Sequence, residues 1–378
     1  MQNIIYFDNS ATTKPCEKAV EYINQALKCN WGNPSSLHML GINAEMEISL
    51  TRRSVAKTIN AAEEEMFFTS GGTEANNIAL LGAALARKKR GNRIVTTAIE
   101  HPSVLETVNH LEKHGFEVIR LKPDKNGIIS PEQIIEAINS QTVLVSIMLV
   151  NNEIGTIQPV KAAADAIKKS GAPALLHCDA VQAYGKIPIN VKNLGVDLLT
   201  ASGHKIHASK GVGFLYKRRG INLMNTVHGG GQEKGLRSGT ECVPLILGLR
   251  GAVEELGSID KRYTEILGLW QYAKESILNT GVAEINSPDG CLPYILNISV
   301  PGYRSETLLH FLDAKGIYVS SGSACAKGQK SYVMSAMGYD DKRTDSALRL
   351  SFSRYNTKEE INKFCLALIE ACKTLRKA

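Results

Sequence analysis

The stretch 66–77, "MFFTSGGTEANN", joins an apolar run, a glycine turn and the start of a helical pattern. It predicts a strand over 66–69 and a helix over 73–89. The two glycines let the backbone turn tightly, and Thr73 is the predicted helix cap. Free N–H groups in the first helical turn can bind an anion. No Gly-Lys-Ser/Thr follows, so the stretch is not a nucleotide P-loop. Taken alone, it also fits an ordinary capped helix.

The same alternation of strand and helix continues to about residue 240, which predicts an α/β domain with a mainly parallel sheet. Beyond Gly239 the pattern changes to one long helix over about 243–278, followed by a smaller α+β region. We expect a large domain over 16–255, and a small domain made of 1–15 and 256–378 that carries the loop around Cys325. Strands are predicted at 66–69, 93–97, 116–120, 143–150, 174–178, 197–200 and 213–216 in the first domain, and at 294–300 and 348–353 in the second.

The overall composition is that of a globular protein. The chain has 378 residues, a formal net charge of +7, and 43% hydrophobic and 21% charged residues. The mild positive charge suits anionic small molecules or an acidic protein partner. Scattered basic residues and 6% aromatics argue against direct nucleic-acid binding. No apolar run approaches the ~18 residues that span a membrane. With no expected signal peptide and dispersed cysteines, we expect reduced thiols in the cytoplasm.

Polar residues follow several of the predicted strands, at the edge where α/β sheets bind ligands. Asn152 lies just after 143–150 and could donate a hydrogen bond into a cleft. Asp179 follows the next strand and could hold a protonated ring nitrogen. Lys205 follows 197–200 and is a candidate Schiff-base former. Each residue taken singly has a simpler explanation, because turns and surface lysines are common.

The consecutive residues His177, Cys178 and Asp179 contain metal-ligating groups. Neighbouring residues of a strand point to opposite faces, so the three cannot easily converge on one ion. We therefore expect no metal site. An anion site at Thr73, an acid at Asp179 and an amine at Lys205 are instead the parts that hold pyridoxal phosphate.

The sequence also resembles a known family along nearly its whole length. It is similar to the cysteine desulfurases of the NifS/IscS type, which belong to the class-V aminotransferase group of fold type I pyridoxal phosphate enzymes. The resemblance implies a large domain with a mainly parallel seven-stranded sheet and a smaller α+β domain. The motifs that carry it are "YFDNSATT" (6–13), "NPSSLH" (33–38), "TSGGTEANN" (69–77), "EHPSV" (100–104), "NNEIG" (151–155), "DAVQ" (179–182), "SGHKIHASKGVG" (202–213), "GGGQEKGLRSGT" (229–240), "SSGSAC" (320–325) and "LRLSFSR" (348–354).

The resemblance implies a role for each candidate residue. Free L-cysteine is the implied substrate, and the protein is expected to be a homodimer. By resemblance, Lys205 carries the cofactor, His101 stacks on its ring, Asp179 binds the pyridine nitrogen and Gln182 binds the phenolic oxygen. The resemblance also implies that Thr73, Ser202 and His204 hold the phosphate, and that Thr240 reaches the phosphate of the other subunit. Asn152 and Arg349 are the implied ligands of the substrate carboxylate.

Alternation along 348–353 agrees with the implied role of Arg349. Leu348, Leu350 and Phe352 share one face of this predicted strand, whereas Arg349 points to the other face. Arg354 falls at the strand end and is the weaker candidate for the carboxylate.

Cys325 lies in the stretch "VSSGSACAKGQKS" (319–331), which is too small, polar and glycine-rich to pack as core. Nearby lysines favour the thiolate form. An incidental loop cysteine is the simple interpretation. By resemblance, the Cys325 thiolate attacks the substrate sulfur and becomes a persulfide, and alanine is released. The sulfur then passes to an acceptor protein, either an iron–sulfur scaffold or a tRNA-thiolation enzyme.

Several alternatives remain at this point. Iron–sulfur-dedicated relatives typically follow this cysteine with a longer segment that contains Leu-Glu-Pro-Ser, whereas the segment here is shorter and more basic, which leaves the acceptor open. Cleavage of selenocysteine would tolerate Cys325, but transamination would not explain it. A sulfur-relay or scaffold-binding protein that has lost catalysis is disfavoured, because Lys205, Asp179 and Cys325 are all present.

Overall fold

The computed structural model describes residues 4–322 and 330–377. Its strands are β1 (Ile5–Tyr6), β2 (Met66–Thr69), β3 (Arg93–Thr97), β4 (Glu117–Leu121), β5 (Thr142–Ser146), β6 (Leu175–Asp179), β7 (Leu198–Ser202), β8 (Gly213–Lys217), β9 (Glu284–Ile285), β10 (Ile295–Ser299), β11 (Ile317–Tyr318) and β12 (Ala347–Ser351). Its α-helices are α1 (Glu17–Cys29), α2 (Met39–Thr58), α3 (Gly72–Arg87), α4 (Pro102–Lys113), α5 (Pro131–Ala137), α6 (Val160–Ser170), α7 (Val191–Leu194), α8 (Val243–Glu254), α9 (Ile259–Asn279), α10 (Ser305–Asp313), α11 (Tyr332–Ala336), α12 (Asp341–Asp345) and α13 (Lys358–Thr374).

Seven strands form one sheet in the order β2-β8-β7-β6-β5-β3-β4. Neighbouring strands from β7 to β4 are parallel, whereas β8 runs antiparallel to both β7 and β2. The predicted α/β fold with a mainly parallel seven-stranded sheet is therefore confirmed.

Helices cover both faces of this sheet, so its central strands are buried on both sides. Every residue of β5, a Thr-Val-Leu-Val-Ser run, is buried, as expected for a strand between two helical layers. On one face Phe67 packs in a core with Ile78 of α3 and Val108 of α4. On the other face Val145 packs in a core with Ala163 of α6. The two apolar layers fix the sheet, and the sheet fixes where its strands end.

A second, antiparallel sheet has the order β12-β10-β9 and packs against α9. Trp270 of α9 is buried there, and its indole N–H donates to the carbonyl oxygen of Ile295 at 2.9 Å. β1 pairs in parallel with β11, so the N-terminal residues lie with the last third of the chain. This pairing supports the predicted division into a large domain of 16–255 and a small domain of 1–15 with 256–378, which stays a prediction.

The structure corrects the prediction of one long helix over 243–278. α8 ends at Glu254 and α9 begins at Ile259. Gly257 adopts a left-handed φ of 60°, which interrupts the helix. Ser258 then caps α9, because its side chain accepts a hydrogen bond from the Lys261 N–H. Neither α1 nor α2 is among the predicted elements.

The cysteines of the two described ranges are free thiols, namely Cys16, Cys29, Cys178, Cys242, Cys291, Cys365 and Cys372. Within the same ranges, no helix combines the length and the apolar character that crossing a bilayer requires. The cytoplasmic location expected from the sequence stays a prediction.

We predict that Phe364→Ala strongly destabilises the protein. Phe364 of α13 is fully buried, and its ring meets that of Phe7 edge-on at 6.2 Å, so the substitution leaves a cavity beside the N-terminal strand. The expected loss is about 3–5 kcal/mol in the free energy of unfolding, measured by chemical denaturation. Leu366→Ala on the same helix removes an exposed side chain and should change it by less than about 0.5 kcal/mol. Equal losses for the two variants would contradict the packing described here.

Candidate active site

A cavity of about 220 Å³ lies at the carboxyl edge of the seven-stranded sheet. Turns that follow β2, β5, β6 and β7 meet at this edge, because parallel strands end on the same side. The candidate residues from the sequence that line the cavity are Thr73, His101, Asn152, Asp179, Gln182, Ser202, His204, Lys205 and Arg349.

The N-terminal segment closes one side of the cavity and holds the turn that carries Lys205. The Lys205 ammonium donates to the carbonyl oxygens of Ser10 and Ala11, the latter at 2.7 Å. The Thr13 backbone N–H and hydroxyl both donate to the carbonyl oxygen of His204, at 2.9 and 3.0 Å. These bonds fix the amine in the cavity wall, where it faces the other candidate residues.

A hydrogen-bonded chain connects Asp179 to His101 across the cavity floor. The side-chain amide of Asn76 in α3 donates to Asp179 Oδ2 at 2.7 Å and to Ser103 Oγ at 2.9 Å. His101 caps α4, since its Nδ1 accepts from the Ser103 N–H at 3.1 Å. Asp179 also accepts from the Val181 N–H at 2.9 Å. The carboxylate and the imidazole are thus held in place before any ligand binds.

The glycine turn after β2 lies against the segment after β6, but Thr73 is not the helix cap. Gly71 is the cap residue, and α3 already begins at Gly72. A methyl group at Gly72 would lie 2.8 Å from Val181 Cγ2, so the helix can start this close only because Gly72 has no side chain. Thr73, in the first helical turn, keeps its predicted place at the cavity beside Ser202.

Two groups from distant parts of the chain meet at the far wall. Arg349 of β12 is 1% exposed, and it donates to the Asn152 carbonyl oxygen and to Asp8 Oδ1, both at 2.8 Å. Asn152 Oδ1 and Arg349 Nε are buried and have no hydrogen-bond partner in the described residues. Leu348 and Leu350 face the core, as alternation predicts. Arg354 is instead bound to Glu255, away from this wall.

Burial keeps the imidazoles around the cavity uncharged near neutral pH. It lowers the pKa of His204 to about 4, with a further contribution from Lys205. It likewise lowers the pKa of His177, which lies between Ser146 and Thr200, to about 4. The pKa of His101 is also lowered by burial. These histidines therefore act as hydrogen-bonding groups.

Cys325 lies outside the described residues, but the chain on either side of it is described next to the cavity. Ser320 pairs with the backbone of Arg349 through two hydrogen bonds, of 2.7 and 3.1 Å. The Ser331 hydroxyl donates to the buried carboxyl of Glu153, which directly follows Asn152. Both ends of the segment are therefore held by neighbours of the cavity wall.

Thr240 does not line the cavity within this chain. It is exposed, at the rim of another pocket that also contains Arg237 and Glu233. Glu233 is buried and forms two hydrogen bonds with Arg52, so the glycine-rich segment that leads to Thr240 is firmly attached at this point.

Comparison with known proteins agrees with this geometry. The family model for class-V aminotransferases matches residues 5–364. The chain belongs to the class-V aminotransferase family. Cysteine desulfurase IscS from Methanosarcina thermophila is 41% identical over 376 residues, which cover 98% of this chain and 93% of that relative. Cysteine desulfurase IscS from Clostridium botulinum strain Kyoto is 40% identical over 371 residues, 96% of this chain and 92% of that relative.

A solved structure described as a NifS-like protein superposes on this fold with a TM-score of 0.94 and 38% identity, covering 99% of this chain and 100% of that chain. The predicted resemblance to the NifS/IscS type and the predicted fold type are thereby confirmed. The relatives named here are IscS and NifS-like proteins, the type of class-V aminotransferase that the sequence motifs indicated.

Three polar side chains that line the cavity are missing from the predicted set: Asn76, Ser103 and Ser10. Asn76 follows Gly72 by one helical turn, so helical spacing could have placed it on the same face. Ser103 and Ser10 lie in the quoted motifs 100–104 and 6–13, but their contacts depend on chain segments far away in sequence. No local pattern could have indicated them.

We predict that Glu100 makes the protein less stable as the pH rises. Burial raises the pKa of Glu100, fully enclosed beside His101, to about 8, and the folded protein therefore holds a proton that the unfolded chain releases near its ordinary pKa. Between these two values, folding binds a proton, so stability falls with rising pH by up to about 1.4 kcal/mol per pH unit. Glu100→Gln keeps an acceptor for the Thr97 hydroxyl and the Met148 N–H and should remove this slope.

The measurement is the denaturation midpoint of wild type and Glu100→Gln from pH 5 to pH 8. The variant should gain stability over wild type as the pH rises. Glu106→Gln, an exposed substitution on α4, should run parallel to wild type. A Glu100→Gln curve that also runs parallel would contradict the buried, protonated carboxyl.

Proposed function

We propose that this protein is a pyridoxal-phosphate-dependent cysteine desulfurase that converts L-cysteine to L-alanine and leaves the sulfur as a persulfide on Cys325. The observation that carries the proposal is the single cavity in which Lys205, Asp179 and Arg349 converge. An amine, a carboxylate and a carboxylate-binding guanidinium are the protein groups that this chemistry needs. The names of the class-V relatives support the same activity.

The residues of the cavity fit pyridoxal phosphate. The Asp179 carboxylate accepts two hydrogen bonds that hold it in one orientation, which suits it to bind a ring N–H. The N–H groups at the start of α3, with Thr73, Ser202 and His204, suit the phosphate. His101 is placed to stack on the ring, and Lys205 to bond covalently to the cofactor. When bound, the cofactor supplies an electron sink for the amino acid substrate.

The cysteine substrate is held by its α-carboxylate at the far wall. Arg349 already uses one nitrogen on Asn152 and one on Asp8, and its Nε, like Asn152 Oδ1, is buried without a hydrogen-bond partner in the described residues. Leaving the Arg349 Nε–H unpaired costs about 1–3 kcal/mol, which the substrate α-carboxylate relieves by accepting from it, whereas Asn152 Oδ1 can accept only from a donor group of the substrate. The arrangement supports the roles of Asn152 and Arg349 in orienting the substrate.

Cys325 takes the sulfur. In the balanced reaction the C–S bond of cysteine breaks, an S–S bond forms on Cys325, and a proton replaces sulfur on the carbon to give alanine. The positions of Ser320 and Ser331 beside the cavity support this role, because they fix both ends of the segment near the substrate site. An acceptor protein for iron–sulfur assembly or tRNA thiolation then takes the outer sulfur of the persulfide, and the S–S bond breaks to leave Cys325 as a thiolate.

Substitution of Cys325 should separate substrate binding from sulfur removal. Cys325→Ser keeps the size but replaces the thiolate by a hydroxyl that is a poor nucleophile. The variant should still change its cofactor absorption spectrum on addition of L-cysteine, but release at least about 100-fold less alanine and show no persulfide by mass spectrometry. Cys29→Ser, at an exposed cysteine of α1, is the matched control and should behave as wild type. Normal alanine release by Cys325→Ser would refute the assignment.

The protein works as a homodimer, and the face of α2 that points away from its own chain supports this. One face of α2 packs inward through residues such as Ile48, while the opposite face exposes Met39, Ile42 and Met46. Trp31 is 67% exposed just before it. Large apolar side chains exposed together near the start of a helix are typical of an interaction surface, and a second copy of this chain supplies the partner surface.

Met46→Lys should weaken the dimer, because it places a charge in the apolar face. Sedimentation at micromolar concentration should show wild type as a dimer and a substantial fraction of the variant as a monomer. Leu278→Lys on α9, also at an exposed apolar residue, should leave the dimer intact.

A second test mixes inactive Lys205→Ala and Thr240→Ala chains, which should regain activity if Thr240 completes the neighbour's site. A monomeric wild type would overturn the proposal.

A further inference from the structure

Lys186 is a buried amine just behind the cavity wall, and none of the roles above uses it. Lys186 is 6% exposed, and its ammonium nitrogen lies 5.7 Å from the centre of the Tyr294 ring. Lys186 and Lys205 both line a small second pocket. Lys205 also lines the main cavity, whereas Lys186 does not. A lysine in such a place is costly to bury unless it has a specific hydrogen-bonding task.

The Lys186 contact with Gln182 supplies that task. The Lys186 ammonium donates to Gln182 Oε1 at 3.0 Å, and Gln182 Nε2 donates to the Ser10 carbonyl oxygen at 3.0 Å. A glutamine side chain can present its oxygen and nitrogen in either of two orientations. Here a donor stands on one side and a carbonyl, which can only accept, on the other. Together they leave one orientation, with a second N–H of Nε2 free to donate.

We propose that Lys186 is a positioning residue that fixes the Gln182 amide. The remaining N–H of Gln182 Nε2 then donates to the phenolic oxygen of bound pyridoxal phosphate. This inference rests on the proposed function, since it assigns a role toward the same cofactor. The Ser10 carbonyl oxygen accepts from both the Gln182 amide and the Lys205 ammonium, so the two lysines are connected through this oxygen and the Gln182 side chain. Lys186 thereby acts on the cofactor through Gln182 without contacting it.

The electrostatic surroundings explain why the hydrogen bond, and not the charge, is the useful property. Burial, together with the nearby positive charges of Lys205 and Arg349, lowers the pKa of Lys186 to about 7. An amine keeps N–H donors in both protonation states, so Lys186 can donate to Gln182 Oε1 in both. The ionisable groups around Lys186 are Lys205, Arg349, His204, His207 and Tyr294.

The test uses purified protein loaded with pyridoxal phosphate. It measures the absorption maximum of the cofactor and the rate at which the cofactor is released to an excess of another, cofactor-free protein that binds pyridoxal phosphate. Lys186→Met preserves the length and the apolar packing but removes the donor. It should release the cofactor about tenfold faster, the change that corresponds to a lost hydrogen bond of about 1.4 kcal/mol, and shift the absorption maximum. Lys186→Arg keeps donors and should restore most of the slow release. Lys192→Met, at an exposed lysine nearby, is the control and should match wild type.

A double variant separates positioning from a general packing role. If Lys186 acts through Gln182, then Lys186→Met should add nothing to the release rate of Gln182→Leu. Additive effects of the two substitutions would overturn the inference. So would a Lys186→Met protein with the release rate and absorption maximum of wild type.

Gln182→Glu keeps Lys186 and an acceptor for it, so it serves even if Lys186→Met does not fold. This variant loses the donor and should release the cofactor as fast as Gln182→Leu. Release at the wild-type rate would overturn the inference while leaving the proposed function standing. A wild-type protein that binds no pyridoxal phosphate would overturn both.

Discussion

The buried guanidinium of Arg349 joins three parts of the chain that are far apart in sequence. It comes from β12 of the small sheet, yet it bonds to Asp8 near the N-terminus and to the carbonyl of Asn152 after β5. A buried charge is tolerated only with partners, and removing one partner of such a pair costs several kcal/mol. The three segments are therefore obliged to assemble together, and the far wall of the cavity exists only when all three are in place.

The same dependence on distant segments holds elsewhere around the cavity. Parallel strands bring the turns after β2, β6 and β7 to one edge, and this much follows from topology. The N-terminal segment then supplies carbonyl oxygens to Lys205 and to the Gln182 amide. Because these acceptors are backbone atoms of residues that are themselves tied to β12 and β11, the position of the amine depends on the small sheet as well as on its own strand.

Much of this could be predicted from sequence where the determinant is local. Strand ends with polar residues indicated Asp179 and Lys205, and alternation placed Arg349 on the correct face of β12. The break at Gly257 could not be predicted from helical periodicity, because the apolar pattern continues across it and only the backbone conformation interrupts the helix. α2 shows no clear helical periodicity, because apolar residues lie on both its buried and its exposed face and charged residues lie among them. Asn76 of α3 forms hydrogen bonds to Ser103 of α4 and to Asp179 of β6. These contacts join separate elements, so no local sequence pattern predicts them.

The burial of Trp270 has a consequence for spectroscopy. The chain contains two tryptophans, and they lie in opposite environments: Trp270 is enclosed against the small sheet, and Trp31 is in solvent beside the exposed face of α2. Indole emission shifts to longer wavelength in water, so the two residues contribute separable blue and red components to intrinsic fluorescence. A Trp31→Phe protein would report only on the integrity of the small sheet, and a Trp270→Phe protein only on what covers α2. The molecule thus carries its own pair of optical probes, one for unfolding of the small sheet and one for changes at the exposed face of α2.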